Sequence, residues 1–180
     1  YKRPKFETSF KPITETYKIN DSLTIKGSAL AFAGSNITNA KVTYRVHRKV
    51  QYPRWYYWYR PYFTSSEPQE ISHGETKTDA NGNYSITFQA LADKSVNKEN
   101  LPIFYYEVTA DVTDINGETR SASTIVKVGY HALIAEIKIA GTIDKNDKEN
   151  LLKIETKNLN SKTVSAKGNL KIYKLQAPTS

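Results

Sequence analysis

The sequence predicts an all-β protein whose first part is a sandwich of two packed sheets, and three observations predict it. Apolar and polar residues alternate with a period of two along most of the chain, as in strands buried on one face. No segment sustains the 3.6-residue period of an amphipathic helix. Turn-forming clusters, two of them Asn-Gly pairs, recur at the spacing of about 8–12 residues that sandwiches use.

Taken in order, an opening strand around Lys5–Phe10 alternates Phe6, Thr8 and Phe10. Leu23, Ile25, Gly27, Ala29 and Ala31 form the inward face of a second strand, and Val42, Tyr44 and Val46 that of a third. Glu75–Thr78 and the run Tyr84, Ile86, Phe88 flank Asn81-Gly82, which reads as a hairpin because Asn-Gly accepts positive φ. The clearest alternation is Phe104, Tyr106, Val108, Ala110 and Val112, followed across Asn116-Gly117 by Ala122, Thr124, Val126 and Val128. That makes about seven strands. Polar Asp93–Asn100 between them holds at most one helical turn.

After Gly129-Tyr130-His131 the rhythm restarts with Leu133–Ile139, then Leu152 and Ile154, then Val164–Ile172. About three strands are too few for a second complete sandwich. The expected division is residues 1–131 as one sandwich domain and 132–180 as a partial second β domain, with the boundary near His131.

The 180 residues are 38% apolar, enough to build a core, and include no Cys. Disulfides, thiolate metal sites and cysteine nucleophiles are thereby excluded. The net charge of +8 is uneven: residues 1–60 carry +9, 61–132 carry −5 and 133–180 carry +4. A basic stretch beside an acidic one points to contact between neighbouring segments or domains, ahead of nucleic acid. No stretch is apolar enough to span a bilayer, so no membrane contact is expected of this chain. It begins at Tyr1 and has no Met, as expected of a piece of something longer, whose targeting signal would lie upstream.

The most distinctive segment is Val50–Phe63, where 8 of 14 residues are aromatic. On a strand Trp55, Tyr57 and Tyr59 share one face, and Tyr56 and Trp58 the other, so one core cannot take them all. Together with Arg54 and Arg60 they form a candidate interface, because Tyr and Trp bury much area at little entropic cost. The alternatives are a carbohydrate-binding platform using residues 52–63, a base-stacking surface, and a hairpin extension packed on its own domain.

No catalytic machinery is legible, and no cofactor is expected. His47, His73 and His131 lie far apart in sequence and show no metal-ligand spacing. Asp144–Asn150 has calcium-ligand residue types but lacks the glycine at its sixth position, and Asp79–Asn83 is accounted for by its turn. Phosphate loops, nucleophile elbows and paired carboxylates are missing. The formal glycosylation sequons at Asn20, Asn36 and Asn83 matter only in a glycosylating host.

The run Thr76–Tyr84, containing Asp-Ala-Asn-Gly-Asn-Tyr, and the run Phe104–Arg120, containing Asp-Ile-Asn-Gly-Glu-Thr, resemble the macroglobulin domains of bacterial alpha-2-macroglobulin-like proteins. Tyr17–Gly27, Ala40–Val46 and the aromatic insertion are similar too. The resemblance covers roughly residues 1–131, with Leu151–Leu175 the most similar part of a following domain. It implies an immunoglobulin/fibronectin-III-like sandwich in a non-catalytic scaffold, within a periplasmic or surface-anchored endopeptidase inhibitor. The implied partners are neighbouring macroglobulin domains, and proteases through the full-length protein. Many members trap the protease with an internal thioester, whose cysteine this chain does not contain.

Overall fold

The computed structural model describes residues 5–52, 66–139, 146 and 151–174. Nine strands make up the regular structure of these residues: β1 Phe6–Phe10, β2 Ser22–Ala31, β3 Lys41–Gln51, β4 Gln69–Lys77, β5 Asn83–Gln89, β6 Ile103–Thr113, β7 Thr119–Gly129, β8 Leu133–Ile139 and β9 Leu152–Asn158. One short 3-10 turn, Lys98–Asn100, sits in the polar stretch before β6, where Asn97 caps it by accepting the Glu99 N–H.

The first seven strands form two sheets, a three-stranded one ordered β1-β2-β5 and a four-stranded one ordered β4-β3-β6-β7. All neighbouring pairs are antiparallel. Their inner faces carry the expected alternation: Leu23, Ile25 and Ala29 on β2, Ile86 on β5, Val42, Val46 and Val50 on β3, and Phe104, Tyr106, Val108, Ala110 and Val112 on β6 are all buried. Burial of each large side chain stabilises the fold by about 1.5–3 kcal/mol, and this shared interior holds the sheets together.

Each sheet also closes an aromatic over a glycine. Gly27 stands between Phe10 and Tyr84 in the ladder, and a Cβ there would collide with the Tyr84 ring. Phe10 and Tyr84 meet edge to face at 5.8 Å, and the Tyr84 hydroxyl lies 3.0 Å from Thr8 Oγ1. On the opposite sheet Gly74 faces Tyr44, whose hydroxyl would be 2.7 Å from an added Cβ. The missing side chain is what lets each ring lie flat across the ladder.

The two Asn-Gly sites behave differently. Asn116-Gly117 does join a hairpin, β6 to β7. Asn81-Gly82 does not: β4 pairs with β3 and β5 with β2, so this turn carries the chain from one sheet to the other. Locally the two are the same device. Asp79 Oδ1 accepts the N–H groups of Asn81 and Asn83, and Asp114 Oδ1 those of Asn116 and Glu118. Only the glycines take positive φ, 74° and 78°. The aspartate therefore shapes the turn, and the pairing of the next strand decides which sheet receives the chain.

Among the described residues the last two strands pair with each other and with neither sandwich sheet, as a β8-β9 hairpin. A third strand, expected over Val164–Ile172, is absent among the described residues: the chain makes one bridge, Lys157 to Thr163, and then leaves the sheet. Alternation alone supplies no hydrogen-bond partner, and Leu170, Ile172 and Tyr173 remain exposed.

Candidate interaction surfaces

Arg54, Trp55, Tyr56, Tyr57, Trp58, Tyr59 and Arg60 lie outside the described residues, as does most of Asp144–Asn150. The roots of the aromatic segment are described. Before it, Tyr52 packs against the core, and after it the Ser66 hydroxyl accepts the Val50 N–H at 3.0 Å. Gln51 is level with Ile103, which is level with Gly129. The described roots therefore lie at the end of the sandwich where the chain passes into β8.

At that same end a cleft of about 220 Å³ lies between the two parts, lined among others by Ile103, Tyr105, Lys127, Ile134, Lys157 and Leu159. The Lys127 ammonium stands 5.2 Å from the Tyr105 ring centre, a cation over an aromatic face. On the rim Glu155 is approached by Lys138 at 2.6 Å, Lys153 at 2.7 Å and Lys157 at 3.2 Å. Hydrogen bonds from these lysines pull its carboxyl down to about 2. Glu136 stands level with Glu155 on β8, so the hairpin surface there sets three lysines against two carboxylates.

Two further clusters were not legible from spacing. Arg48, 8% exposed, donates to Leu91 O at 3.0 Å and to Gln69 Oε1 at 2.6 Å, and pairs with Asp93 at 3.2 Å. The Tyr106 hydroxyl donates to the same Leu91 carbonyl, and burial raises its pKa. Asp93 is held below the usual carboxylate range by the Ser95 hydroxyl, against the effect of partial burial, and then by the Ser95 N–H and Arg48. The only signal for this cluster is Arg48 itself, which shares the inward phase of Val46 and Val50.

The other cluster is His47, Glu70 and His73. Glu70 lies 2.9 Å from His73 Nδ1 and 3.7 Å from His47 Nε2. Residues 70 and 73 would point to opposite faces of a regular strand. An irregularity in the β3-β4 register, where Ser72 faces Val46 but Glu70 faces His47, returns both to one face. The histidines that looked scattered are thus two-thirds gathered. Among the described residues no group of three His, Cys, Asp or Glu could hold a metal ion.

These features define a seven-stranded immunoglobulin-like sandwich with a hairpin appended at one end. No family model and no curated protein matches the sequence. Among solved structures it is similar to the native conformation of alpha-2-macroglobulin from E. coli, at a TM-score of 0.56 and 6% identity over 88% of this chain. The elastase-activated form of the E. coli protein gives 0.58 at 5% identity over 89%, and Salmonella alpha-2-macroglobulin reacted with methylamine gives 0.52 at 8% over 86%. The fold is that of part of bacterial alpha-2-macroglobulin. This chain spans only 10% to 15% of the length of those proteins. Matches of that extent reach beyond residue 131.

Proposed function

We propose that the chain is a non-catalytic scaffold segment of a protease-trapping protein of the alpha-2-macroglobulin kind. Residues 1–131 form one macroglobulin-like domain and 132–180 part of the next. The observation that carries this reading is the combined match: a three-on-four sandwich followed by a hairpin, alike in fold to part of bacterial alpha-2-macroglobulin along most of the chain. The reading places the parent protein outside the cytoplasm, in the periplasm or on the surface. Among the described residues no helix is long and apolar enough to cross a membrane.

The test is to incubate the parent protein with trypsin or elastase. An enclosed protease should lose activity on a large protein substrate and keep it on a small peptide. Unchanged activity on both substrates, with no stable complex, rejects the reading.

The aromatic segment is proposed to cover a neighbouring domain, because its roots sit at the end where the chain continues. Trp55 and Trp58 are the only tryptophans of the 180 residues, so the chain's fluorescence reports on this segment alone. Oxidative footprinting read peptide by peptide should label them strongly in the 180-residue chain and weakly in the parent. Equal labelling in both rejects the interface, and a shift of the chain's fluorescence on adding glycans supports the carbohydrate platform instead.

A further inference from the structure

We infer that the turn Asn158–Ser161 is a rigid joint, in which two asparagine side chains lock the β8-β9 hairpin onto the sandwich and Asn160 ends the free edge of β7. The turn itself is tightly made. The Asn158 N–H donates to Lys162 O at 2.8 Å, the Ser161 N–H donates to Asn158 O at 3.0 Å, and Ser161 takes a φ of 69°. Asn158 Oδ1 accepts the Lys162 N–H at 2.9 Å, which fixes its amide.

That amide then points across the gap. Asn158 Nδ2 donates to Thr14 O at 2.9 Å and to Thr16 Oγ1 at 3.0 Å, so both its hydrogens reach the segment before β2. Asn160 works at the sheet edge: its Oδ1 accepts the Lys127 N–H at 3.0 Å, and its Nδ2 donates to Lys127 O at 3.3 Å and to Glu15 O at 2.9 Å. An extended backbone would offer the same acceptor and donor to an edge residue. A side-chain amide stands in for one here.

Between the two, Leu159 enters the sandwich end, where a Cβ on Gly129 would sit 3.0 Å from Leu159 Cδ1. Asn158, 2% exposed, and Leu159, 7% exposed, are the only described residues beyond Gly129 that are buried. The rest of the hairpin contributes little cover, so its orientation depends on this turn. Aspartate at 158 or 160 would keep the shape but present oxygen to the carbonyls of Thr14, Glu15 and Lys127. That loses two donors at each position and adds repulsion.

The joint does not depend on protease capture and stands or falls on the 180-residue chain alone. Along β7 the alternation of an antiparallel edge gives Ser123, Ile125 and Lys127 the same outward amide direction. Hydrogen exchange by NMR should show the Lys127 amide protected at least roughly tenfold relative to Ser123 and Ile125. Residual dipolar couplings from residues 22–129 and 133–158 should fit one alignment tensor. In the Asn158→Asp, Asn160→Leu double variant, where residue 160 has neither acceptor nor donor, the Lys127 protection should be lost and two tensors needed, with the β2-β5 resonances unmoved as evidence of an intact sandwich. Two tensors in the unmodified chain, or Lys127 exchanging as fast as Ile125 there, would overturn the joint. A variant that keeps both protection and a single tensor would overturn the role of the asparagines.

Discussion

The sandwich and the hairpin are written in the same sequence language, yet they differ in what that language obtains. β6 alternates Phe104, Tyr106, Val108, Ala110 and Val112, and every one is buried; β8 offers Leu133, Ala135, Ile137 and Ile139, and every one is exposed. Period-two patterning states which face a strand can bury. Whether it does depends on a second sheet to close against, which β6 has and β8 lacks among the described residues.

The sharpest way to break this comparison is to cut the same kind of residue from each side. Phe104→Ala, at 0% exposure, should cost about 3–5 kcal/mol in urea denaturation, since a buried aromatic leaves a cavity. A cost under about 1 kcal/mol would mean that the sheets are not packed as described.

A middle-sized effect lies in the Arg48 cluster, which ties β3 to the loop after β5. Asp93→Asn should cost about 1–3 kcal/mol near neutral pH, by weakening a charge-assisted contact to Arg48. Its pH signature comes from the direction of the Asp93 shift. A carboxyl whose folded pKa lies below its unfolded value, about 3.9, adds stability above that value and loses it as pH falls through the folded pKa. Denaturation measured from pH 6 down to pH 2 should therefore show a shallower acid loss in Asp93→Asn. Parallel profiles would remove Asp93 from the account of acid stability.

The smallest effect belongs to the hairpin. Ile137→Ser, at 55% exposure, should change stability by no more than about 0.5 kcal/mol. A loss near that of Phe104→Ala would show that Ile137 is covered in solution, and would bring the two regions together.

Much of the architecture was legible because burial imposes a period on it. Six of the seven sandwich strands and the hairpin after His131 fall where alternation places them, whereas β4 spans Gln69–Lys77 and only its end, at Glu75–Lys77, is marked in the sequence, by the turn that follows. Pairing was less legible: Asn81-Gly82 and Asn116-Gly117 make the same local turn, and only the distant partner of β5 distinguishes a change of sheet from a hairpin. The His47-Glu70-His73 cluster needed an irregular register, which no short-range pattern announces. Asn158 and Asn160 look like ordinary turn residues until Thr14, Glu15 and Lys127 arrive from far along the chain. The aromatic segment stands out by composition, but its rings lie beyond the described residues.

The manner in which Asn160 meets Lys127 has an architectural consequence. Had a peptide strand stood there, the four-stranded sheet would have run on into the following unit, and both would have inherited one continuous twist. A carboxamide satisfies a single residue and then stops, so the ladder is terminated without being extended. The β8-β9 hairpin can therefore set off at its own angle from the sandwich while remaining firmly attached to it.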